Sequence, residues 1–333
     1  MRAFFATAAG RGIVVLFVGL GLAGLLEAEG LRKQAQIQQP GIERDIALGV
    51  TRPLVRVSRA LHLTTPRHEL QAAIGRSGED SIDSTVHLSQ PPLPPPAGPT
   101  HRPRPPKHRR GKPAKPVYTA AHPLHVWVAG DSLAQVPGDG LQRLTVASID
   151  VVGVESRLST GLARPDLYNW YTRFNQVIAH VKPQVAVLSF GADDAHDYMA
   201  GVPAGRTVGA FGTPSWIAEY RRRVDGVTRE LNAAGIRTIW LGLPIPDGPG
   251  FKRSFPVVNA ILQSVARKHS KLSSYVDTWH LLDSAHGTYT PYLRVHGKLT
   301  LMRLPDGVHY TPAAGDLIAQ AVLEQLRGYY TLR

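Results

Sequence analysis

Eleven prolines fall between Pro91 and Pro116. Each removes a backbone donor and fixes φ, so neither a helix nor a central strand survives that density. The chain is thereby divided into an N-terminal part and a C-terminal part. The dividing stretch is also basic. Residues 84–130 hold Arg102, Arg104, Lys107, Arg109, Arg110, Lys112 and Lys115 and no acidic side chain, supplying +7 of the formal net charge of +13. Residues 81–122 therefore read as an extended, disordered, semi-rigid spacer. A basic tract can bind nucleic acid, but this one has no aromatic interleaving and no fold around it, so no nucleic-acid partner is expected. Its charge suits attraction to anionic envelope polymers or lipid instead.

The N-terminal part explains why a spacer is needed. Every residue from Ile13 to Leu26 is apolar or glycine, and Arg11 is the one charge between Ala3 and Leu26. Fourteen residues suit a signal-peptide core, whereas the 24 from Ala3 to Leu26 would span a bilayer. Glu27 and Glu29 crowd the only candidate cleavage positions, which favours an uncleaved signal anchor over residues 1–30. Arg2 and Arg11 precede the apolar run, so the rest of the chain is expected outside the cytoplasm on a single-pass membrane protein. Gly19, Gly21 and Gly24 spell Gly-x-Gly-x-x-Gly, but no strand precedes them, and no dinucleotide cofactor is expected.

Residues 31–80 read as two short amphipathic helices. Ile46, Val50, Leu54, Val57 and Leu61 keep one face, and Thr65-Pro66 opens a second helix that ends near Gly75. They suit a membrane surface or a partner contact.

Beyond Pro123 the pattern changes. His125–Ala129 reads as a buried strand, followed by candidate strands at Ile149–Val154, Gln184–Phe190, Arg237–Leu243 and Ser274–Asp277. Helical patterns alternate with them at Asp166–Val181, Ser215–Ala234, Phe255–His269 and Pro312–Arg327. Such alternation implies an α/β fold with a parallel sheet covered on both faces. Polar site residues should then collect beyond the carboxyl ends of the strands. Ser132, Gly161, Asp193, Asp194, Asp306 and His309 fall at those ends. Taken singly, each suits a helix cap or an ordinary loop.

Together they form ordered blocks: Ala129-Gly130-Asp131-Ser132-Leu133, then Ser159-Thr160-Gly161, then Gly191-Ala192-Asp193-Asp194, then Asp306-Gly307-Val308-His309-Tyr310-Thr311. In this the chain resembles the SGNH, or GDSL-type, hydrolase superfamily over about residues 123–330. The stretch from Ser159 to Asp166, with Trp170 after it, resembles a bacterial envelope branch of largely unassigned substrate. The resemblance implies a three-layer, flavodoxin-like parallel sheet behind the N-terminal membrane helix and the Pro-rich linker.

The chemistry fits those blocks. A serine hydroxyl needs a base, and imidazole near neutral pH needs a carboxylate to fix its tautomer. Ser132, His309 and Asp306 are the candidate catalytic residues, with Asp306 three residues before His309 so that one loop carries both. The N–H groups of Ser132 and Gly161 are candidate oxyanion donors, since a side chain at 161 would obstruct that approach. Asp131 is expected to brace the serine turn, with Asp194 supporting. One position departs from the superfamily. Its third block usually supplies an Asn amide to the oxyanion hole, and here that residue is Asp193. Either burial holds Asp193 protonated, or two backbone groups make the hole alone, or hydrolysis is weakened.

The expected function is a membrane-tethered, extracytoplasmic serine acyl hydrolase or O-acyltransferase acting on acyl esters of cell-wall carbohydrate. The alternative is a catalytically weakened binding or scaffold protein on the same fold. No cofactor is called for, and the histidines lack the spacing of metal ligands. With no cysteine in the chain, a thiolate zinc site, an iron–sulfur cluster and a cysteine nucleophile are excluded.

Overall fold

Strands whose residues are all buried mark the centre of a parallel sheet, because helices cover both of its faces. Two strands of this kind lie in the computed structural model, which describes residues 7–74, 80–88, 114–203 and 206–333. The chain divides into two units, residues 1–83 and 84–333.

The second unit begins with β1 (Val117–Tyr118), β2 (Leu124–Gly130), α5 (Gln135–Leu144) and β3 (Ile149–Ser156). It continues through α6 (Trp170–Gln176), β4 (Val185–Ser189), α7 (Pro214–Ala233), β5 (Arg237–Leu241), α8 (Pro249–Lys268) and β6 (Ser273–Val276). A short α9 (Thr278–Leu281), a hairpin of β7 (Tyr292–Val295) and β8 (Lys298–Leu301), α10 (Pro312–Tyr329) and β9 (Thr331–Leu332) complete it. Strands β4 and β5 are buried at every position. The five-stranded sheet runs β3-β2-β4-β5-β6, parallel at every pairing. This is the flavodoxin-like order that the resemblance implies. The direction of winding reverses at β2, so a crevice opens beyond its carboxyl end. Gly130 pairs with both Ser156 and Ser189 there, which aligns the ends of β2, β3 and β4.

Two helices frame that crevice. Helix α5 follows the turn after β2, and α10 starts after Thr311, whose hydroxyl caps it by accepting from Ala314 N–H. They meet backbone to backbone. A Cβ at Gly140 would lie 2.7 Å from the Gly315 carbonyl oxygen, and one at Gly315 would lie 2.5 Å from that of Val136. Only glycine at both positions permits this approach.

Several expectations need correction. The spacer read over 81–122 is narrower, because residues 84–88 and 114–122 belong to the second unit. Val117–Tyr118 pairs in parallel with Thr331–Leu332, so the domain extends beyond the 123–330 expected. Val86 and Leu88 pack on the core, and Asn169 Nδ2 donates to Thr85 at 2.9 Å. The Pro-rich centre, residues 89–113, lies outside the described residues. The helix expected from Asp166 starts instead at Trp170, because Asn169 accepts from the N–H groups of Tyr171 and Thr172 and caps it there. Asp166 is occupied in a buried ion pair with Arg164 at 2.8 Å. Helix α8 begins at Pro249, ahead of the apolar run that signalled it.

The first unit holds α1 (Ala8–Leu26), α2 (Ala28–Ile37), α3 (Ile42–Ala60) and α4 (Thr65–Ala73), so residues 31–80 carry parts of three helices rather than two. Its buried polar contacts include Ser58 Oγ donating to the Leu25 carbonyl at 2.6 Å and Arg59 donating to the buried Glu29 at 2.8 Å. Gly19, Gly21 and Gly24 lie inside α1, not in a strand-to-helix turn. Among the described residues no single helix is long and apolar enough to cross a membrane. Arg11–Leu26 and Ala28–Ile37 satisfy length and composition only as a pair, bent by 71°.

Candidate active site

The site grows from the end of β2. Asp131 is fully buried, and its carboxylate accepts from Leu133 N–H and from Ala192 N–H, each at 3.0 Å. One bond shapes the turn that carries Ser132, and the other ties that turn to the loop after β4. The Asp131 carboxylate therefore bridges the serine turn and the β4 loop. The turn is a single 3-10 segment, Ser132–Ala134, which leads directly into α5.

The loop before α10 supplies the partners. Asp306 Oδ1 accepts from the N–H groups of Val308 at 2.8 Å and His309 at 2.9 Å, while its Oδ2 lies 2.8 Å from His309 Nδ1. His309 Nε2 lies 2.8 Å from Ser132 Oγ. The structure therefore brings together three side chains that lie 177 residues apart at their extremes. Partial burial works to raise the Asp306 pKa, but the two N–H groups and the imidazole outweigh it, so Asp306 titrates below the usual carboxylate range. An ionised Asp306 fixes the Nδ1–H tautomer of His309 and leaves Nε2 free to accept the serine proton.

The candidate oxyanion donors lie on the serine turn and on the loops after β3 and β4. Neither the Ser132 nor the Gly161 N–H finds an acceptor among the described residues. The reason for glycine at 161 differs from the one expected. A Cβ there would meet Asp194 Oδ1 at 2.1 Å, so its absence makes room for a carboxylate rather than for substrate. That carboxylate accepts from Ala163 N–H at 2.6 Å and from the Tyr220 hydroxyl at 2.6 Å. Arg223, fully buried on α7, donates to the carbonyls of Leu162 at 2.8 Å, Ala163 at 3.2 Å and Ala200 at 2.7 Å. Tyr171 adds a bond from its hydroxyl to Leu162 O at 2.7 Å. The segment following Gly161 is thus clamped from several sides. The reading from sequence missed Tyr220 and Arg223 as parts of the site, because on α7 they read as core and surface.

Asp131, Asp193 and Asp194 are close enough to influence one another. Burial raises the pKa of all three; Asp131 also feels Asp193 and Asp194, and Asp193 feels Asp194. Asp131 and Asp194 accept bonds that favour their ionised forms. No donor reaches the Asp193 carboxylate among the described residues, and this half-buried group feels only the opposing pull of His196 and His309. Asp131 is shifted furthest, well above the usual carboxylate range, while Asp193 is the one of the three whose oxygens accept no bond among the described residues.

As to metals, Glu29, His68 and Asp80 in the first unit bring ligand atoms within 4.8 Å of one another. Arg59 engages Glu29 and Arg67 engages Asp80, which neutralises both carboxylates without an ion.

Similarity to known proteins was found at two levels. No curated protein matches the chain. Among solved structures, the lipase/acylhydrolase from Enterococcus faecalis is 16% identical, with a TM-score of 0.42, covering 61% of this chain and 95% of that one. A GDSL-like lipase from Bacteroides thetaiotaomicron is 15% identical, with a TM-score of 0.43 and coverage of 65% and 92%. The acetyl xylan esterase AlAXEase is 14% identical, with a TM-score of 0.42 and coverage of 61% and 99%. The family described as "Protein of unknown function (DUF459)" matches residues 125–325, more than half of the chain. The chain belongs to that GDSL/SGNH-like family.

Proposed function

We propose that the chain is a serine acyl hydrolase or O-acyltransferase, tethered to a membrane with its catalytic domain outside the cytoplasm, acting on acyl esters of cell-wall carbohydrate. The observation that carries the catalytic reading is the relay of 2.8 Å contacts from Asp306 through His309 to Ser132. In the first half-reaction Ser132 Oγ attacks the ester carbonyl while His309 Nε2 takes its proton. The developing oxyanion is held by the N–H groups of Ser132 and Gly161, with Asp193 donating a third bond in its neutral form. His309 then returns the proton to the leaving alcohol, and an acyl-Ser132 ester remains. Water releases it in hydrolysis; a sugar hydroxyl takes the acyl group in transfer.

The tether rests on the apolar run from Ile13 to Leu26 with Arg2 and Arg11 before it. The wall-carbohydrate substrate follows from that placement and from the basic spacer.

A second reading, a binding or scaffold protein of the envelope, is favoured by one observation. Asp193 stands where the superfamily places an amide donor, and in its ionised form it would repel an oxyanion. A serine-directed fluorophosphonate separates the two. The hydrolase labels at Ser132 and the Ser132→Ala variant does not; absence of labelling in the folded wild type supports the scaffold.

A further inference from the structure

The β7–β8 hairpin lies outside the catalytic relay yet is built into the same loop. His296 and Gly297 join its strands with φ of 48° and 81°, the left-handed pair that a tight two-residue hairpin turn requires. Tyr292 pairs with Leu301 and Arg294 with Leu299, so these four side chains share one face. Leu293 and Val295, on the other face, pack against the core. Tyr292, Leu299 and Leu301, with Leu304 just beyond the strand, are between 39% and 58% exposed. An exposed apolar patch of this kind marks an interaction surface.

Its charge narrows the partner. No acidic residue occurs from 284 to 305, a stretch that contains Arg294 on the apolar face and Lys298 beside the turn. Neither is paired with a carboxylate among the described residues. Arg294 is engaged by one backbone carbonyl, that of Gly297, at 3.1 Å. The partner must therefore offer negative charge at its surface and apolar material beneath it. An anionic polysaccharide would engage the two cations but leave Leu299, Leu301 and Leu304 in water.

We infer that this hairpin face docks on an anionic lipid bilayer, with Tyr292 and the leucines at the headgroup–acyl boundary and Arg294 and Lys298 on the headgroups. Docking is coupled to the site through the backbone. Thr311 donates from its hydroxyl to Leu301 O at 2.6 Å, and Leu304 N–H donates to His309 O at 2.9 Å. A docked hairpin thus carries the His309 loop with it. The inference is independent of the hydrolase reading, since a scaffold would dock in the same way.

The chain's lack of cysteine supplies the test. Leu299→Cys carries an environment-sensitive fluorophore in the full-length protein, reconstituted into vesicles that bear a lipid-borne quencher. Arg267→Cys, in the last turn of α8 and so at the amino-terminal end of the sheet, is the reference site. The label at 299 should shift to the blue and be quenched in phosphatidylglycerol-containing vesicles, while the label at 267 should not. Adding Arg294→Gln and Lys298→Gln should weaken docking about 30-fold, roughly fivefold for each charge removed near a lipid surface. Both lie at exposed positions, and an unchanged melting curve establishes that they leave the fold intact. Three results would overturn the inference: no quenching at 299, equal quenching in pure phosphatidylcholine, or quenching at 267 as strong as at 299. An equal spectral shift with soluble dextran sulfate and no lipid would assign the face to a polyanion and overturn it as well.

Discussion

Replacing Asp193 by asparagine tests whether this residue is protonated in the folded protein and donates to the oxyanion. In the folded protein its pKa is raised, chiefly by burial and then by Asp194, against the pull of His196 and His309. The donating form is the protonated one, so it is fully present below the ordinary carboxylate value and lost as pH rises through the raised one. Loss of one oxyanion donor typically costs about 10²–10³ in rate, or about 2.7–4 kcal/mol. The wild type should therefore lose about two orders of magnitude in kcat on its alkaline limb. Asp193→Asn has an amide donor at every pH, so its profile should stay level there and its neutral-pH activity should equal or exceed the wild type's. Stability should move in the same sense. A raised carboxylate pKa contributes stability at low pH that disappears as pH rises through it, so the variant should gain in Tm over the wild type above that point. The assay is kcat against pH on a small acyl ester, with melting curves across the same range. A slower variant with an unchanged pH profile would refute the donor role and leave Ser132 and Gly161 as the whole oxyanion hole.

Three further outcomes follow from the geometry. Alanine at Ser132, Asp306 or His309 should each remove most activity, and any pair should cost little more than the worst single change; steady-state kinetics showing additive losses would make these residues structural. Gly161→Ala sets a Cβ against the Asp194 carboxylate at 2.1 Å, so overpacking should cost about 1–3 kcal/mol and lower Tm by some 2–12 °C. Protease added to intact spheroplasts should degrade the catalytic domain while cytosolic markers survive, and full protection would contradict the extracytoplasmic placement.

The parts of the fold legible in the sequence were those whose burial is continuous along the chain. Val185–Ser189 and Arg237–Leu241 are buried at every position, and runs of that kind read as strands without help from distant residues. Helix α5 was illegible because Pro137, Gly138 and Gly140 interrupt its propensity, and what sustains it is packing against α10. The hairpin had a local signal in His296-Gly297 between Tyr-Leu-Arg-Val and Lys-Leu-Thr-Leu, which the reading passed over. Within the site, Ser132, Asp306 and His309 were legible because their chemistry is specific and two of them share a loop. Asp194 was placed, but its role was not. Its contact with Gly161 and its bond from Tyr220 join three separate loops and helices, and no local pattern records such a meeting. Arg223 is harder still, since an arginine on an amphipathic helix reads as surface until three carbonyls are found around it.

The glycine contact between α5 and α10 has a mechanical meaning. Packed helices usually slide in small steps because side chains at their interface exchange rotamers, and that exchange lets a structure breathe. Gly140 and Gly315 have no rotamers to exchange. The helix that follows Ser132 and the helix that follows His309 are therefore locked at a spacing set by hard backbone contact, stiff to temperature and to pressure alike. On the proposed hydrolase reading, entry and exit of an ester would then fall to the loops that end β3, β4 and β5.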